Sequence, residues 1–145
     1  MDQETAKSSF KKILVIDDNP TDRYIAKRMA EKHHFAEEII LQESALDALE
    51  YIKSLENTPD LLPQFIFLDI NMPGMNGYEF LDEYTKLSET VKSNCIIMMI
   101  TTSIHPDDLK EAKNNPSVIR FLNKPLDKEK FGLIENEFSS KKQHL

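Results

Sequence analysis

Five short apolar or β-branched runs, Lys12 to Ile16, Glu38 to Leu41, Phe65 to Ile70, Ile96 to Ile100 and Val118 to Leu122, punctuate this chain, and each is followed by a stretch with helical spacing. Strand-length runs that alternate with helix-length ones leave few architectures open. Parallel strands joined by helical crossovers bury both kinds of element in one set of layers. The third and fourth runs are apolar throughout, as expected of central strands covered by helices on both faces. The predicted fold is α/β, a doubly wound parallel sheet of five strands with five helices, (βα)5.

The helical stretches carry their own signals. Pro20 to Lys32 places Ile25, Met29 and Ala30 at helical spacing, and Ser44 is placed to cap Ala45 to Leu55, where Leu46, Leu49 and Ile52 recur on one side. Tyr78 to Leu87 repeats the pattern with Phe80, Leu81 and Tyr84. Pro106 with Asp107 and Asp108 suits a helix first turn, and Asp127 before Lys128 to Phe138 suits the last one. Asn57 to Pro63 contains two prolines and reads as a loop.

A length of 145 residues with 40% hydrophobic content sustains one core and not two. The expected division is an N-terminal tail over 1–10, one domain over 11–138 and a C-terminal tail over 139–145, with no output domain after it. A net charge of −7 argues against nucleic acid, whose phosphates are bound through clustered Lys and Arg. The terminal basic pairs, Lys11-Lys12 and Lys141-Lys142, read as solvated faces. No apolar run approaches the ~20 residues of a membrane span, and Met1 to Phe10 lacks the apolar core of a signal peptide. A cytoplasmic protein without a membrane partner is expected. The single cysteine, Cys95, allows no internal disulfide and opens an apolar run, where a buried small residue is the expected role.

In an open parallel sheet the functional crevice lies beyond the carboxyl ends of the strands. The first run ends in Asp17-Asp18, the third in Asp69, the fourth in Thr101, and the fifth leads into Lys124-Pro125. Two of the three glycines, Gly74 and Gly77, fall in the turn after Asp69. Each of these residues has an ordinary reading by itself. Asp17-Asp18 suits a helix N-terminus, Asp69 a turn, Thr101 a strand-end cap and Lys124 a surface. Their joint position at strand ends changes the weighing. Like charges ~4 Å apart cost about 4 kcal/mol at an effective dielectric near 20, and a divalent cation would relieve three converging carboxylates. Oxygen-only ligands favour Mg²⁺, with Mn²⁺ as its substitute. Three carboxylates, one divalent cation and the Lys124 ammonium sum to neutrality, which lets a phosphate dianion approach Asp69. An acyl phosphate on that residue becomes feasible, with Lys124 and the Thr101 hydroxyl on its oxygens.

From Lys12 to Phe138 the chain resembles the receiver domains of two-component response regulators, a stand-alone, chemotaxis-regulator-like receiver. The resemblance rests on Ile13-Leu14-Val15-Ile16-Asp17-Asp18, the segment Leu68-Asp69-Ile70-Asn71-Met72-Pro73-Gly74-Met75-Asn76-Gly77, Thr101 and Lys124-Pro125. It implies a flavodoxin-like topology with strand order 2-1-3-4-5. It also implies that Asp69 is the phosphoacceptor, Asp18 a direct metal ligand, Asp17 a ligand through water, and the Asn71 main-chain carbonyl a further ligand. Thr101 and Lys124 resemble the phosphoryl-sensing pair, Phe121 occupies the aromatic switch position, and Asn71 and Ser103 stand where side chains tune the lifetime of the acyl phosphate. Two positions depart from the pattern. Thr102 replaces the more usual Ala or Ser, and Phe121 lacks the hydroxyl of the more usual Tyr.

The implied function is that of a single-domain response regulator. It would take a phosphoryl group from a histidine kinase or histidine phosphotransfer protein in a Mg²⁺-dependent reaction, catalyse its own phosphotransfer and dephosphorylation, and signal by protein contacts. It would act as a monomer or a phosphorylation-linked homodimer. None of His33, His34, His105 and His144 sits in a phosphotransfer context; the first two are expected to meet the carbonyl terminus of their helix. A haloacid dehalogenase-type hydrolase is disfavoured by Asn71, where that class carries a second acid. An FMN carrier is disfavoured by the lack of a Ser/Thr/Gly-rich loop over Asp17 to Thr21, and a partner-binding pseudo-receiver by the full acid set.

Overall fold

The computed structural model describes residues 8–102, 105–107, 110 and 118–143. Its strands are β1 (Phe10–Ile16), β2 (Ala36–Gln42), β3 (Phe65–Asp69), β4 (Ile96–Thr101) and β5 (Val118–Asn123). Between and after them run α1 (Pro20–Lys32), α2 (Ala45–Ser54), α3 (Gly77–Tyr84), α4 (Glu89–Asn94) and α5 (Lys128–Gln143), with a 3-10 turn at Pro59–Leu61. All four strand pairings are parallel and the order is β2-β1-β3-β4-β5. This is the doubly wound (βα)5 sheet expected from the alternation of runs. The expected helix opening at Pro106 lies largely outside the described residues, whereas α4 is an addition. Its sequence offers one buried apolar residue, Val91, and too little periodicity to be read as a helix; the Ser88 cap supports it.

Each face of the sheet owns a separate core. Leu14, Ile16, Ile66, Leu68, Ile97 and Met99 point to the side covered by α2, α3 and α4. Ile13, Val15, Phe65, Phe67, Met98 and Ile100 point to the side covered by α1 and α5. Period-two alternation of a strand between two apolar layers explains the unbroken apolar runs. On the second face Phe10, Phe35, Phe65, Phe67, Phe131 and Phe138 form a chain of ring contacts with centroids between 4.5 and 6.4 Å apart. Tilted and edge-on pairs of this kind add to simple burial.

Several boundaries differ from the sequence expectation. β1 begins at Phe10, which pairs with Ala36, and α5 runs past Phe138 to Gln143 because no Pro or Gly stops it once the apolar spacing ends. Lys12 is not on a solvated face. It is 9% exposed, and its ammonium donates to Tyr51 Oη at 3.0 Å and to the Leu61 carbonyl at 2.5 Å. The loop expected over Asn57 to Pro63 contributes that carbonyl through the 3-10 turn. Cys95 is buried as expected, and burial pushes its thiol up to about 11.

Helix α1 ends without glycine. His34 adopts φ 54°, and the N–H groups of His34 and Phe35 donate to the carbonyls of Glu31 and Ala30 at 3.1 and 2.9 Å, a Schellman closure built on a non-glycine residue. The His33 ring does not meet the carbonyl terminus. It crosses to α5, where Nε2 lies 2.8 Å from Glu135 Oε1 and the ring stacks beside Phe131.

Candidate functional site

The carboxyl ends of β1, β3, β4 and β5 open onto one edge of the sheet, and the residues just beyond them converge there. Among the described residues Asp17, Asp18 and Asp69 each offer a carboxylate oxygen, all within 4.8 Å of one another. Asp17 and Asp69 are buried and Asp18 is exposed, so the cluster has two anchored members and one facing solvent. Lys124 brings its ammonium to 2.8 Å from Asp17 Oδ2 and 3.4 Å from Asp69 Oδ2. Its own N–H donates to the Thr101 carbonyl at 2.7 Å, tying the β5 exit to the end of β4.

Local structure explains how two buried carboxylates are held. The Asp17 N–H donates to the Gln42 carbonyl at 3.1 Å. Asp17 Oδ1 accepts the Asn19 N–H at 2.9 Å, and the Arg23 guanidinium holds the Asp17 carbonyl at 2.6 Å. Both Asp17 oxygens are therefore engaged. Asp69 Oδ1 accepts the Asn71 N–H at 3.3 Å, an Asx turn that steers the chain out of β3. The two glycines of that turn act differently. Gly74 has φ 75° with open space around it, whereas a Cβ at Gly77 would lie 2.9 Å from both the Asp69 carbonyl oxygen and Ile70 Cα. The first supplies a turn and the second a close approach of α3 to the strand end. The Asn76–Glu79 capping box starts that helix.

The electrostatics follow from this crowding. Burial and the neighbouring Asp17 carboxylate push the Asp69 carboxyl up from 3.8 to about 6, against the pull of the Lys124 ammonium and the Asn71 N–H. Burial alone would lower Lys124. Its hydrogen bonds to Asp17 and Asp22 and the charges of Asp17 and Asp69 outweigh that, and its ammonium is held above the ordinary lysine range. A hard divalent cation fits this donor set, which is oxygen only, partly buried and short of positive charge.

Thr101 is buried at the last position of β4, paired in register with Asn123. Phe121 is half-buried on β5, opposite Met99 and against the α2–α4 core. Thr102 and Asn71 are exposed. Ser103 lies outside the described residues. Asp17, Asp18, Asp69 and Lys124 are gathered at this edge, Asn71 and Thr101 adjoin them through a main-chain N–H and a main-chain carbonyl, and Phe121 lies two residues before the end of β5. A fourth acid, Asp22, was not anticipated. Its carboxylate sits 2.9 Å from Lys124 Nζ. The signal available was its place in the first turn after the Asp17-Asp18 strand end, the turn nearest the crevice.

A parallel sheet of this order carrying an acidic cluster and a lysine at its carboxyl edge defines a two-component signalling domain, and the chain belongs to the response regulator receiver domain family, whose pattern matches residues 13–133. It is similar to Protein PilH of Pseudomonas aeruginosa, 30% identical over 118 residues that span 81% of this chain and 88% of PilH. It is also similar to Probable methanogenesis regulatory protein FilR2 of Methanothrix harundinacea, 32% identical over 114 residues, or 79% and 72% of the two chains. Among solved structures, a two component response regulator from Cytophaga hutchinsonii superposes with a TM-score of 0.82 at 26% identity, covering 90% of this chain and 97% of that one. Among the described residues no helix is long and apolar enough to cross a membrane.

Proposed function

We propose that Asp69 accepts a phosphoryl group from a histidine kinase or a histidine phosphotransfer protein, and that this chain passes the signal on by protein contacts. The observation that carries the reading is a buried carboxylate, pushed up to about 6, at the strand end where two further acids and one ammonium converge. Such a group is costly to ionise and is relieved by charge neutralisation. In the transfer one Asp69 carboxylate oxygen attacks phosphorus, the P–N bond of the phosphoimidazole breaks, and the imidazole nitrogen keeps the bonding electron pair.

Asp18, Asp69 and the Asn71 carbonyl would hold Mg²⁺ directly, or Mn²⁺ in its place, and Asp17, whose oxygens are already engaged, would reach it through water. The ion would offset the carboxylate charge and stabilise phosphoryl oxygens during transfer. Lys124 supplies a second positive charge, 3.4 Å from Asp69 Oδ2, and Thr101 a hydroxyl at the end of β4. Asn71 and Ser103 would set how readily water reaches the acyl phosphate. Phe121 would report the change from Thr101 to the outer face of β5.

The test is intact mass after incubation with acetyl phosphate, with and without Mg²⁺, for the unsubstituted protein and Asp69→Asn. The expected result is a metal-dependent gain of one phosphoryl group that the variant lacks. Labelling that persists in Asp69→Asn would place the acceptor elsewhere and overturn the assignment.

A further inference from the structure

Helices α1 and α3 open with the same kind of signal but close it differently. In α3 the N-cap Asn76 accepts the Glu79 N–H, and Glu79 reaches back to the Asn76 N–H, each at 2.9 Å. In α1 the N-cap Asn19 likewise accepts the Asp22 N–H at 2.9 Å. The returning bond, however, is taken by Asp17 Oδ1, and the Asp22 carboxylate turns to Lys124 instead, 2.9 Å from its Nζ. The acid at the N3 position of α1, where a capping box carries Glu or Gln, reaches across the crevice to the lysine.

An ammonium has three N–H donors. Lys124 makes short contacts to Asp17 at 2.8 Å and Asp22 at 2.9 Å, while Asp69, at 3.4 Å, receives the longest of the three. We propose that Asp22 is a positioning residue that holds Lys124 toward α1 and competes with a phosphoryl group on Asp69 for its ammonium. The inference rests on the phosphoacceptor reading above and deepens it. Asp22 also adds a negative charge that the sum of three acids, one lysine and one divalent ion omits, leaving the site with one surplus negative charge. The contact stabilises the unphosphorylated arrangement, so the extent of phosphorylation is set partly from the first turn of α1.

Two measurements on the full chain test this. The first is the Lys124 ammonium nitrogen resonance in the unphosphorylated, metal-free protein, assigned through Lys124→Arg. It is expected to move in Asp22→Asn and to return close to its original position in Asp22→Glu, whereas a purely helix-capping role for Asp22 would leave it unmoved. The second is the acetyl phosphate concentration for half phosphorylation at fixed Mg²⁺, read by intact mass. Asp22→Asn is expected to lower it roughly two- to five-fold, the scale of a partly exposed ion pair, with Asp22→Glu restoring it. The ratio should persist in about 0.5 M salt, where repulsion across solvent is screened. An unmoved resonance, or an unchanged or raised donor requirement, overturns the proposal. Absence of labelling in the unsubstituted protein counts instead against the phosphoacceptor reading, and the resonance still decides whether Asp22 tethers Lys124.

Discussion

Replacing Asp69 by Asn is expected to stabilise the metal-free protein at alkaline pH. The carboxyl is raised from 3.8 to about 6 by burial and by the Asp17 charge, so its ionisation costs the folded chain about 3 kcal/mol more than the unfolded one, at 1.36 kcal/mol per tenfold change in proton affinity. The folded pKa lies above the unfolded one. The stability linked to this group is therefore complete below pH 3.8 and is lost as pH rises through 6. Asparagine has the same shape without the charge. It keeps one oxygen where aspartate offers two to the Asn71 N–H and Lys124, which forfeits about 1 kcal/mol of hydrogen bonding. The net gain at pH 8 is about 2 kcal/mol. In urea, with a slope of about 2 kcal/mol/M, the unfolding midpoint should rise by about 1 M in the presence of a chelator, and the advantage should shrink through pH 6, vanish at about pH 4.5 and reverse below it. Added Mg²⁺ should narrow the gap at pH 8 by stabilising the unsubstituted protein more. A variant no more stable at pH 8, or a difference that stays flat between pH 5 and 8, would refute the electrostatic account of the site.

Two substitutions test the backbone around it. Gly77→Ala places a Cβ 2.9 Å from the Asp69 carbonyl oxygen and Ile70 Cα; a loss of about 1–3 kcal/mol is expected from overpacking, with slower labelling of Asp69, both measurable on one preparation. His34→Gly relieves a left-handed non-glycine residue at φ 54°. The relief of about 1–2 kcal/mol exceeds the added chain entropy of glycine, about 0.5–1 kcal/mol, and thermal unfolding should occur a few degrees higher.

The site was legible because its members end apolar runs. Asp17, Asp69 and Thr101 each mark the place where a strand stops, and parallel topology brings all such places to one edge. Asp22 was not legible because it lies inside a helix, where an acid in the first turn already has an ordinary explanation; its contact with Lys124 spans 102 positions of the sequence and leaves no local mark. Lys12 departs from the expected solvated face for a related reason. Neighbouring lysines look alike in sequence, but the pleat turns Lys11 outward and Lys12 toward Tyr51. Helix α4 is not legible because it buries one apolar residue, Val91, below what a periodic pattern can show.

The two ends of β1 bear on a matter of alignment. Its last four residues, Ile13 to Ile16, are apolar toward both layers, so a slide of one residue against β2 or β3 would exchange one set of greasy side chains for another at little cost. Alternation cannot choose the register of such a strand. Lys12 anchors one end to Tyr51 and Leu61, and Asp17 anchors the other to Asn19 and Lys124. Any slip would drag a charge into the apolar layers or strand it from its partners. The pair works as two pins in a sliding bolt, and a carboxylate of the acidic cluster is also what keeps β1 from being threaded one notch out of place.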